Sequence, residues 1–279
     1  MVLAAKTEDE EGARRHKKRK NAMNKLHEFN PTTRFSDRAK IYSAYRPTYP
    51  LEVIKFLSDN RILTPDKKVA DVGAGTGIFS KLLLDNGNEV YCVEPNTEMM
   101  QEGITYLNYY DKCKWISGTS EHSSITLSTI DVITCAQAFH WFEPISTREE
   151  FIRISKNNAH IVLIWNSRKK DENDFTRDYN KLVKHFGKNY EKINEANSND
   201  DAIAAFYSKK PSKVVFENNQ KLSCQALLGR VFSSSYMPYE GSPNYQEAQE
   251  AFKSLFEQYN TNGIVVAPYE TRIYYGELN

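Results

Sequence analysis

The sequence predicts an α/β fold built on a mostly parallel sheet, and three observations carry that prediction. Short apolar runs alternate with helical patterns from about residue 50 to residue 166, the first run leads straight into a glycine-rich turn, and the second ends on an acidic residue. Parallel strands need crossover connections, so alternating helices cover both faces of such a sheet. With 40% apolar residues, the 279-residue chain can fill one large α/β domain or two small ones.

Taken in order, Val53, Ile54, Phe56 and Leu57 form the apolar face of a helix after Pro50. Lys68-Val69-Ala70-Asp71-Val72 reads as a short buried strand, and Ile78 to Asn86 as a helix closed by Gly87. Glu89 to Glu94 is the next strand, followed by a helix that Asn96 or Thr97 caps. Further strands are expected at Lys114 to Ser117, Ile130 to Ala136 and His160 to Asn166; between the last two, Ser146 and Glu149 have capping-box spacing. Beyond Asn166 the rhythm loosens: Asp171 to Phe186 reads as helix and Lys213 to Ser223 as one strand with a polar edge. Residues 225 to 262 read as a helical cap insertion able to cover a pocket, and Ile264 to Leu278 as a terminal strand or hairpin.

Composition removes several classes of function. Lys+Arg 37 against Asp+Glu 36 gives a net charge of +1, so no global field recruits nucleic acid. Residues 1–25 concentrate charge instead, with Glu8 to Glu11 acidic and Arg14 to Lys20 mostly basic, and read as a disordered tail without a catalytic role. Cys92, Cys113, Cys135 and Cys224 are too scattered for a zinc site or a disulfide frame, which argues against a bound metal. No apolar stretch approaches the ~18 residues that cross a bilayer, and no secretory signal is present, so a cytoplasmic protein without a membrane partner is expected.

The chemistry concentrates at Asp71-Val72-Gly73-Ala74-Gly75-Thr76-Gly77, between a strand and a helix. Glycines there permit a sharp turn and close backbone approach to a ligand. The spacing is G-x-G-x-G, whereas a dinucleotide fingerprint places its third glycine one position later, which argues against a nicotinamide or flavin cofactor. Glu94, at the end of the following strand, is placed to accept both hydroxyls of a ribose.

With these residues the chain resembles class I S-adenosylmethionine (SAM)-dependent methyltransferases from about Tyr42 to Leu278. Ala136-Gln137-Ala138-Phe139-His140-Trp141-Phe142 after the fourth strand, and Tyr42 to Pro50, resemble a small-molecule branch of the methyltransferase type 11 kind, related to aconitate-type and cantharidin-detoxifying enzymes. The resemblance implies a Rossmann-like, seven-stranded, mostly parallel sheet and SAM as cofactor. It further implies a cofactor site drawn from Tyr42, Arg46, Asp71, Gly73, Ala74, Gly75, Gly77, Glu94, Pro95, Met99, Ser120, Glu121, Ala136 and Gln137. The acceptor site is expected to draw on Tyr45, Phe139, Trp141, Arg230 and Tyr236.

Each of these residues also has a structural reading. His140 is the leading candidate for a catalytic general base near neutrality, beside the reading of a structural histidine in the pocket wall; Phe139, Trp141 and Phe142 suit an acceptor wall or a core. Arg230 suits an anionic acceptor or a surface ion pair. The expected reaction is methyl transfer to an O, N or C atom of a small molecule. The alternatives are an RNA or protein methyltransferase guided by the basic tail, and a SAM-binding protein without turnover. The Asn/Asp-Pro-Pro-aromatic motif of amino-methylating DNA enzymes and the Pro-Cys nucleophile of cytosine-C5 enzymes are both missing, which argues against a nucleic-acid partner.

Overall fold

The computed structural model describes residues 45–190, 200–207 and 209–278. The charged tail and Tyr42 lie outside the described residues. Helix α1 (Leu51–Asp59) leads into β1 (Lys68–Val72), α2 (Ile78–Asp85), β2 (Glu89–Val93), α3 (Thr97–Tyr106) and β3 (Cys113–Ile116). Then come β4 (Ile130–Ala136), a 3-10 turn (Phe139–Trp141), α4 (Pro144–Ile154) and the long β5 (Ser155–Arg168). The remainder comprises α5 (Asp174–Phe186), α6 (Asp200–Phe206), β6 (Ser212–Glu217), β7 (Gln220–Leu222), α7 (Cys224–Phe232), α8 (Tyr245–Tyr259), β8 (Val265–Ala267) and β9 (Tyr269–Gly276).

Seven strands form one sheet in the order β3-β2-β1-β4-β5-β9-β6. The first five run parallel, and β9 is antiparallel to both neighbours. The order reverses between β1 and β4, leaving a crevice at the carboxyl ends of those strands where open α/β sheets bind ligands. This is the Rossmann-like architecture of class I methyltransferases, with α and β elements as expected.

Alternation along the strands divides the core. Ala70, Val72, Ile133, Cys135, Leu163 and Trp165 pack with Phe151, Phe206 and Tyr207 on one face. Val69, Val90, Cys92, Val132, Val162 and Ile164 pack with Val53, Leu57 and Leu83 on the other. A third cluster joins α5, α7 and α8 to β7 and β8 through Tyr179, Val183, Leu227, Val231 and Phe252.

Local chemistry corrects several expected boundaries. The cap of helix α4 lies three residues before the expected Ser146: Pro144 occupies its first turn and the Glu143 carboxylate accepts the Ser146 N–H at 2.8 Å. Helix α5 begins at Asp174 because Asn173 and Thr176 form a capping box there. The single strand expected over 213–223 breaks at Asn218, whose side chain donates to the carbonyl of Thr48 and to Asn166 Oδ1, both at 3.0 Å, so β6 and β7 enter different sheets. Pro268, lacking an N–H for the ladder, separates β8 from β9.

Candidate active site

The loop after β1 is hooked onto β2, with the N–H groups of Gly73 and Ala74 donating to the Val93 carbonyl at 2.9 and 3.1 Å. Gly73 and Gly75 have φ of +72° and +60°, in the left-handed region that favours glycine. A Cβ on Gly73 would lie 2.5 Å from the Ala138 Cβ, so that glycine lets the loop touch the segment after β4. A Cβ on Gly77 would strike Leu107 at 2.7 Å, which makes Gly77 a packing glycine at the start of α2. Gly75 instead lines the cavity, and a Cβ there would come 3.3 Å from the Met99 methyl.

Beneath the loop, buried Asp71 accepts hydrogen bonds from Ser80 Oγ at 2.6 Å and Thr134 Oγ1 at 2.8 Å. Burial pushes its pKa up to about 6, partly opposed by these two hydroxyls. Its carboxyl ties β1 to α2 and β4, and its side chain does not reach the cavity.

Glu94 follows β2 directly, and its two carboxylate oxygens accept the N–H of Gly75 at 2.8 Å and of Asn96 at 2.9 Å. Burial raises its pKa to about 7 against those bonds, with the Asp71 charge adding to the rise. Each oxygen keeps a further lone pair for a hydroxyl donor, as a ribose diol requires. Below pH 7 the free protein holds this group protonated, so a ligand that bonds to the carboxylate must first displace a proton. Affinity for S-adenosylhomocysteine is therefore expected to fall about tenfold per pH unit below pH 7 and to level off above it. Calorimetric titrations from pH 5.5 to 8.5 check this, and Glu94→Gln should flatten the profile.

A cavity of about 1080 Å³, counting its open mouth, lies at the strand ends, and the glycine loop and Glu94 form part of its wall. Of the predicted cofactor residues, Arg46, Gly73, Ala74, Gly75, Glu94, Pro95, Met99, Ser120, Glu121, Ala136 and Gln137 line it, and Asp71 and Gly77 do not. Ser120 donates to Glu121 Oε1 at 2.9 Å, and the Glu143 N–H reaches the same oxygen at 3.1 Å, fixing the polar wall opposite the loop. Among predicted acceptor residues Trp141 lines the cavity; Tyr45, Phe139, Arg230 and Tyr236 do not.

Phe139 belongs to the core instead, its ring 4.6 Å from that of Phe206. His140 is also outside the cavity, with Nδ1 accepting the Trp165 indole N–H at 3.4 Å. Its pKa is pulled down to about 3 by desolvation, and the Arg46 charge contributes. The ring is thus neutral at physiological pH and a poor proton acceptor, which corrects its expected place as the leading base; it sits behind the cavity lining, against Trp165.

Sequence reasoning missed Asn166, which lines the cavity from the end of the buried part of β5. Its Nδ2 donates to the carbonyls of Pro47 and Thr48, both at 3.3 Å, and its Oδ1 accepts the Thr271 hydroxyl. An asparagine closing the apolar run Ile161 to Trp165 was the available signal. Gln137 was placed correctly in the sequence but not its backbone, which has φ +58° and is held by its N–H to the Ile164 carbonyl at 2.8 Å. Such a non-glycine outlier at a strand end marks a constrained site.

The segment at Tyr45 and Arg46 meets helix α7 and the residues that follow it. Arg46 Nη2 donates to the Ser233 carbonyl at 3.0 Å, Arg230 Nε donates to the Tyr45 carbonyl, and Gln225 Nε2 donates to the Tyr45 hydroxyl at 3.1 Å. Gly229 makes the contact possible, since a Cβ there would lie 2.3 Å from the Tyr45 ring. Gly229→Val is expected to displace the strap of residues 45–49 and weaken S-adenosylhomocysteine binding about tenfold, and the added Tyr45→Ala change to restore part of it. Calorimetry on the single and double variants checks the coupling.

Residues 70–163 match the family described as Methyltransferase domain. An uncharacterized methyltransferase of Mycobacterium bovis is 30% identical over 134 residues, 48% of this chain and 52% of that protein. An uncharacterized methyltransferase-like protein of Schizosaccharomyces pombe is 28% identical over 128 residues, 46% of this chain and 49% of that protein. The chain thus aligns with about half the length of these relatives. Among solved structures, a proposed type II methyltransferase from Anaeromyxobacter dehalogenans has a TM-score of 0.63 at 16% identity, covering 84% of this chain and 99% of that one.

Proposed function

We propose that this chain, which carries a methyltransferase domain, transfers a methyl group from SAM to an O, N or C atom of a small molecule. The observation that carries the reading is one cavity bounded by a glycine loop open at Gly75, the paired acceptor oxygens of Glu94, and the aromatic segment after β4. The residues fit the cofactor: Glu94 retains lone pairs for two ribose hydroxyls, the Gly75 face leaves space that a side chain would fill, and Ser120 with Glu121 offers a polar wall for a base. When bound, SAM supplies an electrophilic methyl carbon.

The chain's own contribution is alignment and exclusion of water. Gly73, Gly75 and Glu94 would fix the nucleoside and methionine parts, while Arg46, Pro47 and Tyr49 of the strap cover the cavity from above. Trp141 and Phe142 leave an apolar wall beside that space, suited to a small acceptor. With His140 neutral and set back, the site favours an acceptor that reaches it already ionised or already nucleophilic.

Incubation of the full chain with isotopically methyl-labelled SAM and a metabolite extract is expected to label one or a few small molecules. Label entering RNA or protein instead would support the alternative acceptors. Tight SAM binding with no labelled product would support a protein without turnover.

A further inference from the structure

Two arginines, Arg168 and Arg230, share a group of tyrosines and, among the described residues, have no carboxylate paired with them. Arg168 ends β5 two residues beyond Asn166, which lines the cavity, and Arg230 on α7 holds the strap through Tyr45. Arg230 is only 5% exposed. Among the described residues no carboxylate lies within 4.0 Å of either guanidinium, and the Nη1 of each is buried without a hydrogen-bond partner. Leaving charged donors buried and unsatisfied is costly, so such groups are kept where a ligand completes them.

Their surroundings are phenolic. The Arg168 guanidinium carbon lies 4.1 Å from the centre of the Tyr179 ring, and that of Arg230 lies 5.6 Å from the centre of Tyr269. Tyr190 accepts from Arg168 Nη2 at 3.5 Å and packs on Tyr236 with ring centres 5.2 Å apart. Tyr179 and Tyr269 face both arginines. Lys170 is a further cation here, its pKa lowered by burial and by the charge of Arg168. Of the nearby carboxylates, Glu270 pairs with Arg272 and Glu217 with Lys169, while Asp171 acts on Lys170 and pairs with neither Arg168 nor Arg230. The result is a local positive excess in a chain whose net charge is +1.

We propose that Arg168 and Arg230, framed by Tyr179, Tyr190, Tyr236 and Tyr269, bind an oxyanion, carboxylate or phosphate, on the methyl acceptor. This rests on the methyl-transfer reading for the word acceptor, but not for the anion site itself. Guanidinium pairs recognise both oxyanions by charge-assisted, often bidentate hydrogen bonds; the Tyr190 hydroxyl gives its proton to Asn180 Oδ1 at 3.0 Å, so further donors would come from the other tyrosine hydroxyls. Arg168 stands two residues beyond Asn166 on β5, and the charge of Arg46 acts on Arg230; Asn166 and Arg46 line the cavity, so an acceptor anchored on the two guanidiniums would direct its other end toward it. The anchor would select acidic metabolites and reject neutral isosteres, which leave the arginines unpaired.

The test titrates malonate, succinate and inorganic phosphate into the full chain, with and without saturating S-adenosylhomocysteine, against the neutral isostere malonamide. At least one oxyanion is expected to bind ten or more times more tightly than malonamide, and which oxyanion does so separates a carboxylate acceptor from a phosphate one. Arg168→Met should lower that affinity at least tenfold while S-adenosylhomocysteine affinity stays within twofold. Arg230→Met should lower it too, with a melting curve on each variant to confirm folding. Malonamide binding as well as malonate, or oxyanion affinity unchanged in a folded Arg168→Met protein, would overturn the proposal. Absence of S-adenosylhomocysteine binding in the unaltered chain would instead sink the methyl-transfer reading, and the oxyanion titration alone would still decide the anion site.

Discussion

Gly75→Val is expected to abolish SAM binding, by more than about 100-fold, while the fold survives. The backbone there has φ +60°, which a β-branched residue adopts only with strain of about 1–3 kcal/mol. The valine also occupies the face left open to the cavity and meets the Met99 methyl. Relief of that strain would move the Gly75 N–H away from Glu94 Oε2, removing a charge-assisted bond worth about 1.5–3 kcal/mol from the carboxylate assigned to the ribose. Together these reach about 2.5–6 kcal/mol, a range that takes in the ~2.8 kcal/mol of a 100-fold loss. Equilibrium dialysis with labelled SAM measures the effect, and thermal unfolding of the free variant separates it from misfolding. Binding within threefold of the unaltered chain would place the cofactor elsewhere.

The second large effect is expected in the third core cluster. Phe252 on α8 is fully buried in the third core cluster, its ring centre 5.3 Å from that of Tyr179 and 6.5 Å from that of Phe232. Phe252→Ala leaves a cavity that costs about 3–5 kcal/mol where the surroundings do not collapse. Tyr179 is the ring on which Arg168 stacks, and α7 carries Arg230, so the damage reaches the anion site before the glycine loop. Denaturant unfolding should show the loss of stability, and hydrogen exchange should locate it in α5, α7 and α8 with β1 and β2 still protected. Uniform loss of protection across the sheet would show that this cluster and the sheet unfold as one unit.

These two positions differ in how readable they were. The glycine loop, β1, β2 and Glu94 are contiguous, and their strand-turn-helix-strand order is written in local residue types, so both the elements and the loop could be placed from the chain alone. The seven-stranded sheet followed from the resemblance, and its order, with β9 inserted between β5 and β6, comes from pairings such as Ile164 with Ile273 that no local pattern encodes. Arg168 shows the same limit. Its significance depends on standing opposite Tyr269 in the β5–β9 ladder and beneath Tyr179 of the following helix. In sequence it is one arginine in a polar stretch, Ser167-Arg168-Lys169-Lys170. His140 fails differently: its residue type and position suit a base, but burial and the Arg46 charge decide its protonation, and neither is local.

Phe139 and Trp141 make the point within three residues. Both are aromatic and both follow β4, yet the 3-10 turn sends Phe139 into the core against Phe206 and Trp141 to the cavity wall. Alternation of faces in a strand would have predicted a shared side for residues two apart. The tight turn after Gln137, with its positive φ, breaks that periodicity.

The central claim is that the cavity at the β1–β4 switch point is a SAM site and not a dinucleotide site. Isothermal titration of S-adenosylhomocysteine and of NAD into the full chain at pH 8, where Glu94 is ionised, tests it most directly. The account predicts saturable one-to-one binding of S-adenosylhomocysteine and no measurable heat with NAD. Tighter binding of NAD than of S-adenosylhomocysteine would contradict it.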